Sequence, residues 1–311
     1  MTENQHKRET FLIPGYHRRT LRETLRHVFW RLISPLSDRS YLTLKYWSIV
    51  GRRPDLKHPK TFTEKCQVRK LYDRDPLYPK LVDKAGAKQL IDTMLGAAYS
   101  VPAFWIGTDL SSVDWDKVLL PAVVKPTHAS SQGRFLYSRA DIDALIAENP
   151  LAEWLALDHA KYNREWAYSQ VKPQVVIEKM LLVDGGVPWD YRLFTFAGKV
   201  SHIEIDIRID GRGYSCNYSP DWQKLPFYDP DYLEPFPGDV QKPERLAEML
   251  DIAERLGRDL DFVRVDLYVS DDWVYVGELT LYPGGGFERF EPPQYDRIIG
   301  DKWQLAFEIP A

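Results

Sequence analysis

Apolar residues recur along this chain with two different periods, and the places where the period changes mark its elements. Within residues 18–36, from Arg18 to Leu36, the apolar Leu21, Leu25, Val28, Phe29 and Leu32 fall at helical spacing, while Arg18, Arg19, Arg22, Arg26 and Arg31 take other positions. The pattern predicts a basic amphipathic helix. Breaks follow at Gly51 to Pro54 and at His58-Pro59. Residues 61–72 then read as a helix capped by Thr61 or Thr63, and residues 80–95 as another with Asp83 as N-cap and Gly96 as its stop. Residues 140–166 are largely helical. A last helix spans 242–258, with Leu246, Met249, Leu250, Ala253 and Leu256 facing inward and Gly257 near its end.

Between these lie segments of β-branched and aromatic residues bounded by turns. Residues 123–137 read as strand, polar loop, strand, and residues 172–186 as a buried strand ending in Gly185-Gly186. Residues 189–208 predict two strands about an Ala197-Gly198 turn, with charged residues alternating along one face. Residues 214–238, rich in Pro, Asp and aromatics and without periodicity, read as an ordered substrate-side loop. Residues 262–287 predict a hairpin that turns at Ser270-Asp271-Asp272 and ends in a glycine run. The class is α/β of the α+β kind, with a helical N-terminal region.

Composition narrows the function classes. With 311 residues the chain holds one large multi-lobed unit or two domains, and 44% apolar residues supply a core. The net charge of -4 argues against a general nucleic-acid binder, whose footprint is basic. Cys66 and Cys216 lack metal-like spacing, which fits a reducing compartment. The sequence has no apolar run of bilayer length and starts without a secretory pattern, so the expected location is the cytoplasm. The basic helix offers a contact with an anionic membrane face or polymer, or simply packs on its own domain.

Several side chains then carry candidate chemistry. Asp266 and Glu278 sit in the two strands of the hairpin, where antiparallel pairing brings two carboxylates onto one face. Carboxylates in apolar strands call for a cation: magnesium, which takes one or two protein carboxylates, or a partner such as Arg264, Arg289 or Lys199. Lys84 falls in a helix first turn, disfavoured by the dipole unless an anion shares the site, or is merely solvated. Lys125 ends a strand and is followed by Thr127, Ser130, Ser131 and Gly133, a set of hydroxyls, backbone N–H groups and charge suited to polyphosphate. No Gly-Lys-Ser/Thr phosphate loop is present, and a plain hairpin turn is the alternative.

In order, Asp83-Lys84, residues 124–133, residues 177–181, Arg264-Val-Asp266, Glu278-Leu-Thr280 and residues 283–286 resemble the ATP-grasp superfamily of carboxylate–amine ligases. Residues 58–65 (His-Pro-Lys-Thr-Phe-Thr-Glu-Lys), Asn163-Arg-Glu-Trp166, Lys172-Pro173, residues 190–194, residues 277–284 and Tyr295-Asp296 narrow the likeness to the TupA-like ATP-grasp family of surface-polysaccharide gene clusters. The resemblance implies ATP held between two α+β lobes, with residues 1–82 an N-terminal helical region, 83–122 a connecting segment, 123–185 a lid lobe and 186–311 a catalytic lobe.

It implies that Lys84 and Lys125 contact ATP phosphates under a loop containing Ser130, Ser131 and Gly133. Glu178, Lys179 and Leu181 then form the hinge that reads adenine, and Asp184 meets the ribose. Arg264 stabilises the transferring phosphoryl group, and Asp266 and Glu278 hold magnesium. The third metal position, commonly Asn in the superfamily, is Thr280. Arg192 and Arg289 are expected to meet a carboxylate or acyl phosphate. The implied reaction joins an amino acid or amine to a sugar-acid or polysaccharide carboxylate, with residues 18–36 a contact for membrane or polysaccharide machinery. Two other classes stay open: a nucleotide-sugar glycosyltransferase using Asp259-Leu-Asp261 as a metal motif, and a nucleotide-binding scaffold without turnover.

Overall fold

The computed structural model describes Trp30 and residues 33–130, 132–209 and 211–310. The basic helix expected over residues 18–36 thus lies almost wholly outside the described residues. At residues 33–36 the chain turns, with Leu36 N donating to Ile33 O, so no helix reaches Leu36.

Four helices follow: α1 (Asp38–Val50), α2 (Phe62–Tyr72), α3 (Tyr78–Val82) and α4 (Lys84–Met94). Thr61 caps α2 in a capping box with Glu64. The single helix expected over 80–95 is broken at Asp83, whose extended backbone lets its carboxylate accept from Ala85 N and Gly86 N and start α4 afresh. Lys84 is accordingly a first-turn residue.

Two sheets divide the rest. The small one has β1 (Ala103–Gly107), β2 (Ala122–Pro126), β3 (Arg134–Leu136) and β4 (Val175–Lys179) in the order β1-β4-β2-β3. Ala122, Val124, Val175 and Ile177 turn one face into a core with α5 (Arg139–Glu148) and α6 (Leu151–Leu155). Lys125 and Glu178 take the other face by strict alternation. Short helices α7 (His159–Asn163) and α8 (Trp166–Ser169) lead into β4.

The large sheet contains β5 (Asp190–Phe196), β6 (Lys199–Ile209), β7 (Arg212–Tyr218), β8 (Lys224–Leu225), β9 (Glu234–Pro235), β10 (Phe262–Val269) and β11 (Val274–Thr280). Its order is β11-β10-β5-β6-β7-β8, with β9 beside β7. The segment 214–238, expected as a loop, therefore holds β7 to β9. The miss has a physical reason: Ser215, Cys216, Asn217 and Tyr218 are all buried, so the strand shows no alternation of polarity.

Leu193, Ile203, Ile205, Val263, Val265 and Leu267 bury one face of this sheet against α9 (Leu246–Leu256), α3 and α4. The opposite face is split. At one end Phe194, Phe196 and Phe262 pack with Phe62 of α2, Trp303 and Ile299 of α10 (Gln294–Asp301). At the other end the same strand parity presents Arg264, Asp266, Asp190, Arg192 and Glu204. Buried polar clamps lock α2 onto this frame. Asp296 accepts from Thr63 N at 2.9 Å and Thr63 Oγ1 at 2.7 Å, and Lys65 donates to Gly300 O at 2.8 Å. Arg69, fully buried, pairs with Asp261 and donates to Phe262 O at 3.0 Å and Leu281 O at 3.2 Å. Much of the narrower sequence resemblance, in 58–65 and Tyr295-Asp296, is this brace.

His202, 2% exposed, stacks on Phe194 with ring centroids 4.2 Å apart. Burial, with Lys302 adding less, holds its imidazole down to about 3. An unfolded histidine takes up its proton near 6.5, so the folded state lags in protonation and stability falls as pH drops below that point. At pH 5 the deficit from His202 is about 2 kcal/mol. Urea unfolding at pH 7 and pH 5 is expected to show His202→Phe losing that much less stability than wild type; equal losses would refute the assignment.

Candidate active site

A cavity of about 300 Å³ lies between the two sheets, lined by Lys84, Lys125, Ser130, Gly133, Glu178 and Glu278 among others. Each cation enters from a defined element. Lys84 Nζ donates to Ala129 O at 2.9 Å and reaches Glu278 Oε1 at 3.4 Å. Lys125 Nζ meets Glu178 Oε1 at 2.5 Å, and Lys88 Nζ, one turn beyond Lys84, meets Glu178 Oε2 at 2.8 Å. Burial alone raises the Glu178 carboxyl, but Lys125 and Lys88 outweigh it and bring it down to about 2. Glu178 is thus a carboxylate that spaces two lysines at the cavity wall.

The loop after β2 makes a tight floor. A Cβ on Gly133 would lie 2.8 Å from Val124 O, so only glycine lets this loop return so close to β2. Ser130 lines the cavity. Ser131 lies outside the described residues. Of the expected hinge residues, Lys179 and Leu181 line the cavity, with Met180 between them. Asp184 does not: it sits at φ 51 in the 183–186 turn and lines a separate depression with Lys242, Arg245 and Asp272.

The β10–β11 hairpin contributes Glu278 to the cavity wall, with Asp266 beside it on the neighbouring strand. Asp266 and Glu278 are direct cross-strand partners, and the row continues through Arg192 of β5, Glu204 of β6 and Asn217 of β7. Arg264 grips Asp266 in a two-point pair, Nε to Oδ1 at 2.7 Å and Nη2 to Oδ2 at 2.6 Å, and donates to Thr280 Oγ1 at 3.2 Å. Burial pushes the Asp266 carboxyl up to about 6, against the pull of Arg264. For Glu278 burial raises the carboxyl, but Lys84, Arg264 and Lys125 together bring it below its ordinary value.

Arg192 is not a free guanidinium. Its Nη1 meets Glu204 Oε1 at 2.8 Å and its Nη2 meets Asp206 Oδ2 at 2.6 Å and Tyr232 OH at 2.9 Å. Its buried Nε has no partner, which leaves one donor for the carboxylate contact expected of it. Arg289 stands apart, half-exposed and 3.3 Å from Asp231. Glu204, Asp206 and Tyr232 were not singled out from sequence, although Glu204 and Asp206 alternate along β6 in the pattern that marks its polar face. Lys88 was legible too, four residues after Lys84 on one helix face.

The magnesium implied by the resemblance can be tested against this donor set. Among the described residues no group of three or more His, Cys, Asp or Glu side chains is placed to hold a metal. Asp266 and Glu278 are hard oxygen donors on neighbouring strands; both Asp266 oxygens accept from Arg264, and burial still raises its carboxyl. Two carboxylates with room for phosphate and water suit magnesium, so the residues fit. Thr280 is occupied by Arg264.

A search across curated proteins finds no match. The TupA-like ATPgrasp family matches residues 64–304. The chain belongs to the TupA-like ATP-grasp family. Its architecture is the ATP-grasp fold. Solved structures similar to it include the D-alanine–D-alanine ligase of Bacillus anthracis complexed with ATP, at 19% identity and TM-score 0.41, covering 65% of this chain and 55% of that one. The D-alanine–D-alanine ligase of Helicobacter pylori is 15% identical at TM-score 0.39, covering 76% and 68%. The ATP-grasp ligase PsnB, complexed with a phosphomimetic precursor variant, Mg and ADP, is 13% identical at TM-score 0.43, covering 90% and 71%. The chain spans little more than half of the Bacillus anthracis ligase. Among the described residues no helix is long and apolar enough to cross a membrane.

Proposed function

We propose that this ATP-grasp chain is an ATP- and magnesium-dependent carboxylate–amine ligase, acting on the carboxylate of a sugar acid in surface-polysaccharide synthesis. The observation that carries it is the continuity of one cavity from Lys125 and Lys84 to Glu278, with Asp266 and Arg264 next on the same sheet face. In this reading residues 123–185 are the lid lobe and 186–311 the catalytic lobe, joined to the N-terminal helices through 83–122.

The chemistry follows from charge. A carboxylate is a poor electrophile until its oxygen attacks the γ-phosphorus of ATP, which releases ADP and leaves an acyl phosphate. A neutral amine then attacks the acyl carbon; the C–N bond forms, the C–O bond breaks, phosphate departs with the bonding pair and the nitrogen gives its proton to solvent. Lys84 and Lys125 neutralise and orient the phosphates, the amides after β2 cover them, and Arg264 faces the charge that develops on the transferring group. Asp266 and Glu278 would hold magnesium, which would add positive charge against the phosphates. Closure of the loop over the cavity excludes water. The glycosyltransferase reading loses its metal motif, because Asp261 is taken by Arg69, Trp303 Nε1 at 2.8 Å and Ala306 N at 3.2 Å.

The test is ADP release with ATP, magnesium, a panel of uronic acids and hydroxylamine, which traps acyl phosphate as hydroxamate. Hydroxamate that depends on both ATP and one of the acids is expected; UDP released from a nucleotide sugar, or no ADP across the panel, would sink the reading. Lys84→Met removes one phosphate contact and is expected to lower kcat/KM for ATP about 100-fold. An unchanged value would remove Lys84 from the site.

A further inference from the structure

Beyond the Asp266–Glu278 pair the polar face of the large sheet runs on into a bay whose hydrogen-bonding character is one-sided. Asp190, Glu204 and Asp206 lie 3.9, 2.8 and 2.6 Å from the Arg192 guanidinium, Glu288 with Asp229 near it adds two more carboxyls, and Arg264 is already taken by Asp266. Arg192 in turn spends its terminal nitrogens on Glu204, Asp206 and Tyr232. Among the buried atoms here without a partner, Arg192 Nε is one donor against the acceptors Asp206 Oδ1 and Asn217 Oδ1, so acceptors outnumber donors. Asp206, 8% exposed, uses Oδ2 for Arg192 and Tyr232 and leaves Oδ1 buried with no partner. Asn217, 2% exposed and the register partner of Glu204, gives its amide N–H to Phe227 O and leaves its carbonyl oxygen Oδ1 buried and unpartnered. Glu288 enters no ion pair among the described residues. Buried acceptors in native proteins are almost always satisfied, so a set of them on one face calls for a donor from outside.

The shape of the missing group follows. A substrate carboxylate brings only acceptors and negative charge to a cluster of carboxyls that already resist ionising. An alkylammonium brings three N–H donors and one positive charge in the volume of a methyl group. The crowding of charge is visible in the protons: burial and then Glu204 lift the Glu288 carboxyl to about 8, and burial lifts that of Asp206 to about 7 against Arg192. We propose that this bay, formed by Glu204, Asp206, Asn217 and Glu288, is the site for the amine substrate, and that it selects a primary alkylammonium carrying no carboxylate near its nitrogen, such as a diamine or amino sugar, over an α-amino acid. The inference rests on the ligase reading and adds the class of its second substrate. Its place on the sheet fits the reaction, because Arg192 and Glu204 continue the cross-strand row that begins with Glu278 and Asp266.

The experiment couples a uronic acid accepted in the hydroxamate assay to 1,4-diaminobutane, glucosamine, glycine and L-glutamate, each followed by ADP release and product mass. Wild-type enzyme is expected to use 1,4-diaminobutane or glucosamine with kcat/KM at least tenfold above that for either amino acid. Asp206→Asn and Glu288→Gln are expected to raise KM for the amine and to lower the ratio of amine coupling to hydroxamate formation at least tenfold, because hydroxylamine is neutral at pH 7 and needs no carboxylate. The wild-type panel keeps the proposal testable if a variant misfolds. Preference for L-glutamate or glycine, or an unchanged ratio in both variants, overturns the amine site while leaving the ligase intact. Absence of hydroxamate in the wild type overturns the ligase reading, and this inference with it.

Discussion

Glu278→Gln is expected to lower magnesium-dependent ADP release about 1000-fold, the scale of losing one fixed charge contact to a transferring phosphoryl group. The side chain stands at the meeting of three features. It is the cross-strand partner of Asp266, lies 3.4 Å from Lys84 Nζ and lines the cavity that holds Lys125. Lys84, Arg264 and Lys125 keep it ionised against burial, so at neutral pH it offers a full carboxylate to a metal. Glutamine keeps the shape and the hairpin but removes that charge. Lys84 keeps its bond to Ala129 O, so the phosphate side of the site survives. The variant should melt close to wild type, bind an ATP analogue without magnesium nearly as well, and lose the gain in affinity that magnesium confers. Steady-state ADP release and calorimetry with and without magnesium read these separately. Turnover within tenfold of wild type would remove Glu278 from the metal site.

That prediction was reachable from sequence because the hairpin obeys local rules. Two runs of β-branched and aromatic residues about a polar turn fix strand parity, and parity puts Asp266 and Glu278 together before any tertiary contact is known. Lys84 was legible for the same reason, since Asp83 caps a helix and the next residue must fall in its first turn. What a linear reading misses is the choice of partner. Arg192 has the chemistry of a carboxylate receptor, yet Glu204 and Asp206 of the adjacent strand claim it, and strand order is not written in any one segment. Asp184 follows the hinge by only a few residues, but the turn at 183–186 carries it out of the cavity and into a separate depression. The strand Arg212–Tyr218 vanished into a loop because both of its faces are buried. The residues of 58–65 carry part of the family likeness in sequence; in space Thr61, Thr63, Glu64 and Lys65 cap and clamp α2.

The largest effect on stability is expected at Arg69, which no motif flagged. Its side chain is fully buried, pairs with Asp261, donates to Phe262 O and Leu281 O, and lies 4.4 Å over the Trp303 ring. Those carbonyls are the entry to β10 and the exit from β11, so one guanidinium from α2 ties both ends of the β10–β11 hairpin to the N-terminal helices. Arg69→Met fills much of the volume but leaves Asp261 buried without its cation and two carbonyls without a donor. Breaking a buried pair from one side costs about 3–5 kcal/mol, a large share of the stability of a whole domain. Chemical denaturation should therefore show Arg69→Met losing about that amount. Adding Asp261→Asn removes the stranded charge while keeping an acceptor for Trp303 Nε1, and should recover a kilocalorie or more of the loss, a coupling that a double-mutant cycle measures directly. If the two changes simply add, Arg69 acts by packing against Trp303 and the charge pair contributes nothing. If they couple, the hairpin that carries Asp266 and Glu278 is held in register by an ion pair outside the cavity, and variants that weaken it should lose the proposed ligase activity in step with stability.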